Sequence, residues 1–379
     1  MKIIDTYNNI ERRVVLDCRV KSYYELVRHY GIALDSLEIF LLSELLDFTF
    51  CKIDIPGIGV EDAPFGGCSL FGADQIFFSN IGIDLHTFQP GGDAEGFRQL
   101  RELIDRDIPV LFRFDSRFAD EDSPVNADRL NFYNPSTLLL AGYDDENVYA
   151  VFNTTWQKHE LYKMTIEHFQ KYRSGICIPY PPDNICYTIS PTADDVKRIN
   201  SERERLCLEV MHKSAERMLS DAIIPEHTDG AIIERSVSHG VSGMKRMGSF
   251  LNELAADKSE SDIIVKLSLM MLRLNMVQGS RTGYRNEFAA GMTFVGERYG
   301  IPELEEISRY LKDRAGFWRD FVRNLDYAAR NDISDREKLS EDIKLITDEL
   351  EKTISIEEEV YSALKELTAR KLGRVLVNI

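Results

Sequence analysis

The chain has 379 residues, of which 46 are Lys or Arg, 63 are Asp or Glu and 7 are His, so its formal net charge at neutral pH is −17. Phosphate binding draws on clustered Lys and Arg, so this balance disfavours nucleic acid and anionic lipid surfaces as partners. Hydrophobic residues make up 44% of the chain, which is enough for a packed core and argues against global disorder.

No segment of the sequence reads as a targeting or membrane signal. The first 13 residues carry no continuous apolar stretch, so we expect no secretory signal peptide and a cytoplasmic protein. The longest apolar run, residues 37–50, is shorter than a membrane span and is interrupted by three acidic side chains. We therefore expect a protein without a membrane segment.

A helix is predicted from Cys18, with Val20, Tyr23 and Val27 on one face and Gly31 after its end. The positive end of the helix dipole would favour the thiolate form of Cys18, which is the reactive form. The alternative is a buried structural cysteine, because Cys is among the most buried residue types.

The next predicted elements are strands at residues 109–114, 137–141 and 148–152. The segment 142–147 between the last two carries Gly, Asp and Asn, so these strands are predicted to be antiparallel neighbours. Strands that alternate with helical patterns indicate an α+β class for this half.

A proline-rich stretch at residues 179–184 marks the predicted domain border, which gives domains 1–187 and 188–379. In the second domain Thr192 is predicted to cap a long helix with Asp195 in its first turn. Apolar residues then recur at helical spacing, and the breaks indicate five or six helices and an all-α domain. These breaks are at residues 225–230, 240–243, 279–283, 300–302 and 331–334.

The last predicted helix, residues 336–371, carries mixed charges around an apolar stripe. We place Leu345, Leu350, Ile354 and Tyr361 in that stripe. A solvated helix with one core face is favoured over a helix that binds a partner.

The cysteines are scattered without CxxC pairs, which argues against a structural zinc site and predicts free thiols in a reducing compartment. They are Cys18, Cys51, Cys68, Cys177, Cys186 and Cys207.

The order of the motifs resembles the papain-like cysteine hydrolases. In that family a helix that begins with the nucleophilic Cys precedes two strands, of which the first opens with His and the second ends in Asn or Asp. Cys18 and Asn153 match the first and third positions, whereas Ser136 stands at the His position.

Further motifs lie at the Asp17–Cys18 pair, at residues 108–115, in the QGSRTGYRNEF segment at 278–288 and in the AGFW segment at 315–318. In these motifs and their order, over most of residues 10–330, the chain resembles the butirosin biosynthesis acyltransferase family, a papain-like domain fused to a helical domain.

The resemblance implies roles for individual residues. Cys18 would be the nucleophile, Asn153 the amide that orients a triad, and Asp115 a pocket carboxylate, with Ser136 in place of the usual base. Apart from the resemblance, the Arg285 guanidinium is predicted to contact a carboxylate or a phosphopantetheine phosphate of the substrate, and Trp156 is also predicted to contact substrate.

Structural alternatives stay open for three of these residues. Asn153 could close a turn, and Asp115 could cap the following residues or pair with Arg113 or Arg117. The segment around Arg285 could serve close helix packing.

The activity implied by the resemblance is acyl or aminoacyl transfer from a thioester to a small amine through a Cys acyl-enzyme, in natural-product and specifically antibiotic biosynthesis. The chain would need no cofactor of its own, since phosphopantetheine would be carried by a partner acyl carrier protein. A local basic patch would dock that acidic partner, and a homodimer is left open. The patch that we expect comprises Arg12, Arg13, Arg19 and Lys21.

The absent His leaves three possibilities, because a serine cannot replace imidazole as a base near neutral pH. Another His could act, the substrate amine could act as its own base, or the chain could be an inactive family member that binds or scaffolds. His29 is a poor substitute because eleven helical positions separate it from Cys18 by about 16 Å. The other candidates are His86, His159, His227 and His239. A peptidase is less favoured, because amide cleavage needs a protonated leaving group.

Overall fold

The computed structural model describes most of the chain in separate segments. These are residues 1–8, 17–55, 60–67, 72–115, 136–151, 161–175, 181–221, 223–225, 236–257, 261–276, 282–331 and 334–373.

The chain is a mixed α+β structure with antiparallel sheets and a helical C-terminal region. The described helices are α1 (Cys18–His29), α2 (Ser36–Leu42), α3 (Ala73–Asn80), α4 (Ala94–Asp105), α5 (Ile166–Arg173), α6 (Ala193–Ser201), α7 (Arg203–Met218), α8 (Gly240–Ala256), α9 (Asp262–Met276), α10 (Arg285–Tyr299), α11 (Pro302–Arg330) and α12 (Arg336–Lys371). The described strands are β1 (Lys2–Ile3), β2 (Thr49–Ile55), β3 (Val60–Gly67), β4 (His86–Phe88), β5 (Val110–Phe114), β6 (Ser136–Tyr143), β7 (Asn147–Val151), β8 (Tyr162–Thr165), β9 (Cys186–Thr188), β10 (Ile223–Pro225) and β11 (Ser236–His239).

The chain packs as two compact units that interleave along the sequence. Unit 1 takes the described residues of Met1–Ser43 and Asp74–Arg203, and unit 2 takes those of Glu44–Ala73, Glu204–Thr228 and Ile233–Ile379. The described residues of Glu44–Ala73 therefore lie in unit 2 although they precede the predicted domain border.

Unit 1 is built on an antiparallel sheet with the strand order β4-β9-β5-β6-β7-β8, and β1 pairs with β6. The strands β6 and β7 are antiparallel neighbours, with Leu139 opposite Val151, so the predicted hairpin is confirmed. Helix α1 packs on β6. Its apolar face, including Tyr23 and Val27, is fully buried, as the sequence pattern predicts.

Helix α6 begins with the predicted cap. The Thr192 hydroxyl accepts a hydrogen bond from the Asp195 amide, and the Asp195 carboxylate accepts one from the Thr192 amide. This reciprocal pair satisfies two amides that a helix start otherwise leaves without partners. The helix is shorter than predicted, because the chain breaks at Glu202 before α7 begins.

Unit 2 combines the C-terminal helices with a second sheet in the order β10-β11-β2-β3. The C-terminal region is helical as predicted, but the all-α assignment of residues 188–379 is wrong, since β10 and β11 lie within it. These strands have only three and four residues. Such short strands show no measurable periodicity, and β2, the partner of β11, lies far away in the sequence.

The predicted break at residues 240–243 is the start of α8. Gly240 has a φ of 54°, and a Cβ there would lie 2.2 Å from the carbonyl oxygen of Met218. Its amide donates to the carbonyl oxygen of Phe48 at 2.7 Å. A glycine is therefore required where the chain turns from β11 into the helix.

Helix α12 confirms the long final helix, but one residue of its predicted stripe is wrong. Leu350, Ile354 and Tyr361 are buried, whereas the Leu345 side chain is 56% exposed. The buried face runs through Ile343, Ile346 and Leu350 at spacings of three and four residues, and Leu345 falls outside it. Among the described helices, none is long and apolar enough to cross a membrane.

Candidate functional site

Cys18 is the first residue of α1, directly after the helix cap Asp17. The Asp17 carboxylate accepts a hydrogen bond from the Arg19 amide at 2.8 Å and pairs with the Arg19 guanidinium at 2.9 Å. Because these two side-chain charges offset one another, the helix dipole remains as a source of positive potential at the Cys18 backbone.

Helix α1 packs along β6, and a polar contact holds each of its ends. Near its start, the Ser22 hydroxyl donates to the carbonyl oxygen of Thr137 at 3.0 Å. Near its end, His29 Nδ1 lies 3.1 Å from the hydroxyl of Thr6, in the segment that follows β1. Since Ile3 of β1 pairs with Gly142, the C-terminal ends of α1 and β6 lie together.

This arrangement places the backbones of Cys18 and Ser136 at the same end of the layer formed by α1 and β6. Cys18 precedes Ser22 by four residues, or about 6 Å along the helix axis. Ser136 is the first residue of β6, next to Thr137, and pairs with Phe114 of β5.

Asp115 follows β5 at this same end. It is fully buried, and its amide donates to the carbonyl oxygen of Tyr172 at 2.8 Å. A Cβ on Gly175 would lie 2.3 Å from the Asp115 Cβ, so the Asp115 side chain is packed tightly against the backbone there. The structure thus brings three of the predicted positions, those of Cys18, Ser136 and Asp115, to one end of unit 1.

Asp74 is a residue of this region that the sequence analysis missed. Its carboxylate is buried and accepts hydrogen bonds from the Tyr23 hydroxyl and, at 2.9 Å, from the Thr137 hydroxyl. Arg113 Nε lies 3.9 Å from the other carboxylate oxygen. Burial and the charge of Asp74 raise the pKa of Tyr23 well above its usual value. A lone Asp in the first turn of α3 gave no sequence signal beyond helix capping.

Several predicted residues fall outside the described part of the chain. Asn153 and Trp156 lie there, as do the side chains of Cys18 and Ser136. Their predicted roles stay predictions.

Arg285 is buried in unit 2 and bonded within that unit. Its guanidinium makes two hydrogen bonds to the Glu357 carboxylate, at 2.9 and 3.2 Å, and one to the carbonyl oxygen of Gly283 at 2.7 Å. The guanidinium carbon also lies 3.9 Å from the centre of the Trp318 ring. Only 1% of Arg285 is exposed, so these contacts favour the packing alternative over a contact with substrate.

The described histidines of unit 1 include His29 and His86. His29 stacks on Tyr7, and burial lowers its pKa. His86 is exposed on β4, three strand positions from β6, which corresponds to about 14 Å.

The other candidate histidines are in unit 2 or outside the described residues. His239 of unit 2 is buried with its Nδ1 atom 2.9 Å from the Asp47 carboxylate. His159 and His227 lie in segments that the structure does not describe.

The expected basic patch is partly neutralised where it is described. Arg19 pairs with Asp17, and Lys21 pairs with Glu25 at 2.7 Å. Arg12 and Arg13 lie outside the described residues.

The cysteine side chains that the structure describes, those of Cys51, Cys186 and Cys207, are buried and are not joined in disulfides. Burial raises the pKa of Cys186 to about 11, which keeps its thiol protonated and unreactive. Within the described segments no group of three or more His, Cys, Asp or Glu residues is placed to hold a metal ion.

Comparison with known proteins gives no family assignment. No protein-family model matches the chain, and no curated protein matches it either.

Proposed function

We propose that the protein is an acyl or aminoacyl transferase of natural-product biosynthesis in which Cys18 carries the acyl group. The observation that supports this most is the placement of the α1 start on β6: the Ser22 to Thr137 hydrogen bond holds Cys18 at the end of the sheet where Ser136 and Asp115 lie. A papain-like fold is part of the same proposal.

The reaction has two balanced steps. The Cys18 thiolate attacks the carbonyl carbon of a thioester donor, the carbon–sulfur bond of the donor breaks, and the donor leaves as a thiolate that takes a proton from water. An amine then attacks the Cys18 thioester, gives a proton to the hydroxide that the first step left in the solvent, and displaces Cys18 as a thiolate. The products are an amide and a free thiol, with no oxidant or reductant consumed.

With a thioester donor, the reaction needs less help from the histidine that is absent at position 136. Its leaving thiolate needs no protonation by the enzyme, whereas the amine leaving group of a peptide does. This difference favours acyl transfer over the peptidase alternative. We propose a carrier protein with a phosphopantetheine arm as the donor, a small amine as the acceptor and the reducing cytoplasm as the compartment.

The second candidate is an inactive family member that binds a pathway intermediate or a partner enzyme. Ser136 at the start of β6 favours it, because this position would hold the base in an active papain-like site.

Intact-mass spectrometry of the full chain with a panel of acyl thioesters separates the two candidates. For a transferase we expect a mass increase equal to the acyl group that is lost in Cys18→Ala. Cys186→Ala is the matched control, because the Cys186 thiol is buried in unit 1 and its pKa of about 11 keeps it out of the reaction. No adduct on the wild type across the panel, together with a Cys18 that does not react with iodoacetamide, would favour the binding protein.

A further inference from the structure

A cavity of about 450 Å³ lies on unit 2 between α9 and α11. Three arginines line it, Arg273 from α9 and Arg319 and Arg323 from α11. The buried Val322 and the glycine Gly316 are also part of its lining. This volume is in the usual range for a small-molecule site.

Within the described part of the chain, two of the three arginines that line the cavity pair with aspartates, and the third does not. Asp326 pairs with Arg273 and, at 3.0 Å, with Arg330 outside the lining. Asp320 pairs with Arg323 at 3.1 Å. Arg319 has no ion-pair partner among the residues that the structure describes.

The lining is therefore positive within an acidic protein. Three arginines against two aspartates leave a charge of +1, whereas the whole chain carries −17. A local excess of guanidinium groups attracts oxyanions, and this attraction weakens as salt rises.

The glycine at position 316 of the cavity lining is a second observation that indicates a ligand. It lies in the middle of the 29-residue α11, where glycine costs about 1 kcal/mol relative to alanine. A Cβ at this position would meet one atom within 4 Å, the Arg319 Nη2 atom at 3.9 Å, so packing within the protein does not require a glycine. The space that the missing side chain leaves opens into the cavity.

We propose that this cavity is an oxyanion site that takes the phosphate group of a small phosphate ester. The planar Arg319 guanidinium would bind two phosphate oxygens at once, and it carries the excess charge of the lining, because Arg273 and Arg323 are each paired with an aspartate. Carboxylates share this oxyanion chemistry, so the test compares the two. The proposal is independent of acyl transfer by Cys18.

The test is isothermal titration calorimetry of the full chain with pyrophosphate and, separately, with malonate, at constant ionic strength. We expect saturable binding of pyrophosphate that weakens by about tenfold in Arg319→Gln, since a charge-assisted bidentate contact is lost. Gly316→Leu should weaken binding by a similar factor, because its side chain fills the cavity without changing any charge.

Arg309→Gln is the matched control. Arg309 is exposed on the same helix, two turns before Gly316, and does not line the cavity. This variant loses the same charge, and its affinity should stay within about twofold of the wild type.

Three results would overturn the proposal. They are no saturable binding of pyrophosphate by the wild type, an equal loss in Arg309→Gln and Arg319→Gln, or tighter binding of malonate than of pyrophosphate. The last result would assign the cavity to a carboxylate ligand.

Discussion

Ser22 and Thr137 are 115 positions apart in the chain, yet the Ser22 hydroxyl donates to the Thr137 carbonyl oxygen at 3.0 Å. Both groups are buried, so no solvent competes for this bond. It fixes the first turns of α1, and with them the backbone of Cys18, on the start of β6.

Ser22→Ala should therefore lower both stability and the reactivity of Cys18. The variant leaves the buried Thr137 carbonyl without this donor, which costs about 1–2 kcal/mol of unfolding free energy. Urea unfolding measures the stability, and the iodoacetamide rate at Cys18 measures the reactivity. Ser79→Ala, at an exposed position of α3, should change neither. Equal effects of the two substitutions would contradict the positioning role of Ser22.

The pH dependence of stability should depend in part on Asp47 of unit 2. Burial alone would raise the pKa of Asp47, but the Arg217 charge and the hydrogen bond with His239 outweigh it and hold the pKa below its ordinary value of 3.8. Folding thus favours the charged carboxylate. This stabilisation is fully present above pH 3.8 and is lost as the pH falls through the lower pKa of the folded state.

Asp47→Asn should destabilise the protein by about 2 kcal/mol at pH 7, because it removes one carboxylate from the partly buried Arg217, which keeps its ion pair with Glu44. The difference from the wild type should shrink as the pH is lowered below about 4. Urea unfolding between pH 7 and pH 3 measures this, with Asp145→Asn at an exposed turn as the control. A difference that does not change with pH would refute the assignment to Asp47.

The neighbouring residues Glu357 and Glu358 allow a buried ion pair to be compared with an exposed one. Glu357→Gln removes the partner of a buried guanidinium and should cost about 3–5 kcal/mol. Glu358→Gln breaks an exposed pair with Lys245 at 2.8 Å and should cost less than about 1 kcal/mol. Thermal unfolding of both variants checks this, and similar losses would show that the Arg285 pair is not buried in solution.

Two leucines of α12 test its buried face in the same way. Leu350 is 1% exposed, so Leu350→Ala should cost about 2–5 kcal/mol through lost burial and a cavity. Leu345 is 56% exposed, and Leu345→Ala should stay within about 0.5 kcal/mol of the wild type. Denaturant unfolding measures both, and a large loss in Leu345→Ala would mean that a partner or a second copy covers this side of α12.

Local signals in the sequence were sufficient to predict several elements of the fold. The apolar face of α1, the turn between β6 and β7 and the reciprocal cap at Thr192 and Asp195 depend on residues within a few positions of one another. Each could be predicted because the physical cause lies within the segment itself.

Long-range packing accounts for what the sequence did not indicate. The pairing of β11 with β2 joins residues near 238 and 50, and neither segment carries a signal for the other. Asp74 becomes part of the candidate site only because Tyr23 and Thr137 reach it from two other elements. Leu345 was wrongly assigned to the buried stripe because it is apolar and close to the stripe in the sequence, but its side chain lies on the exposed side of α12.

The measurement that tests the central claim most directly is a single-turnover experiment on the acylated protein. The chain is first loaded with an acyl thioester and freed of excess donor, and then an amine is added while intact mass and free amide are followed together. The account predicts that the acyl mass on Cys18 disappears as an equal amount of amide forms, and that Cys18→Ala neither loads nor produces amide. A stable adduct that no amine discharges, or amide formation at the same rate by Cys18→Ala, would contradict it.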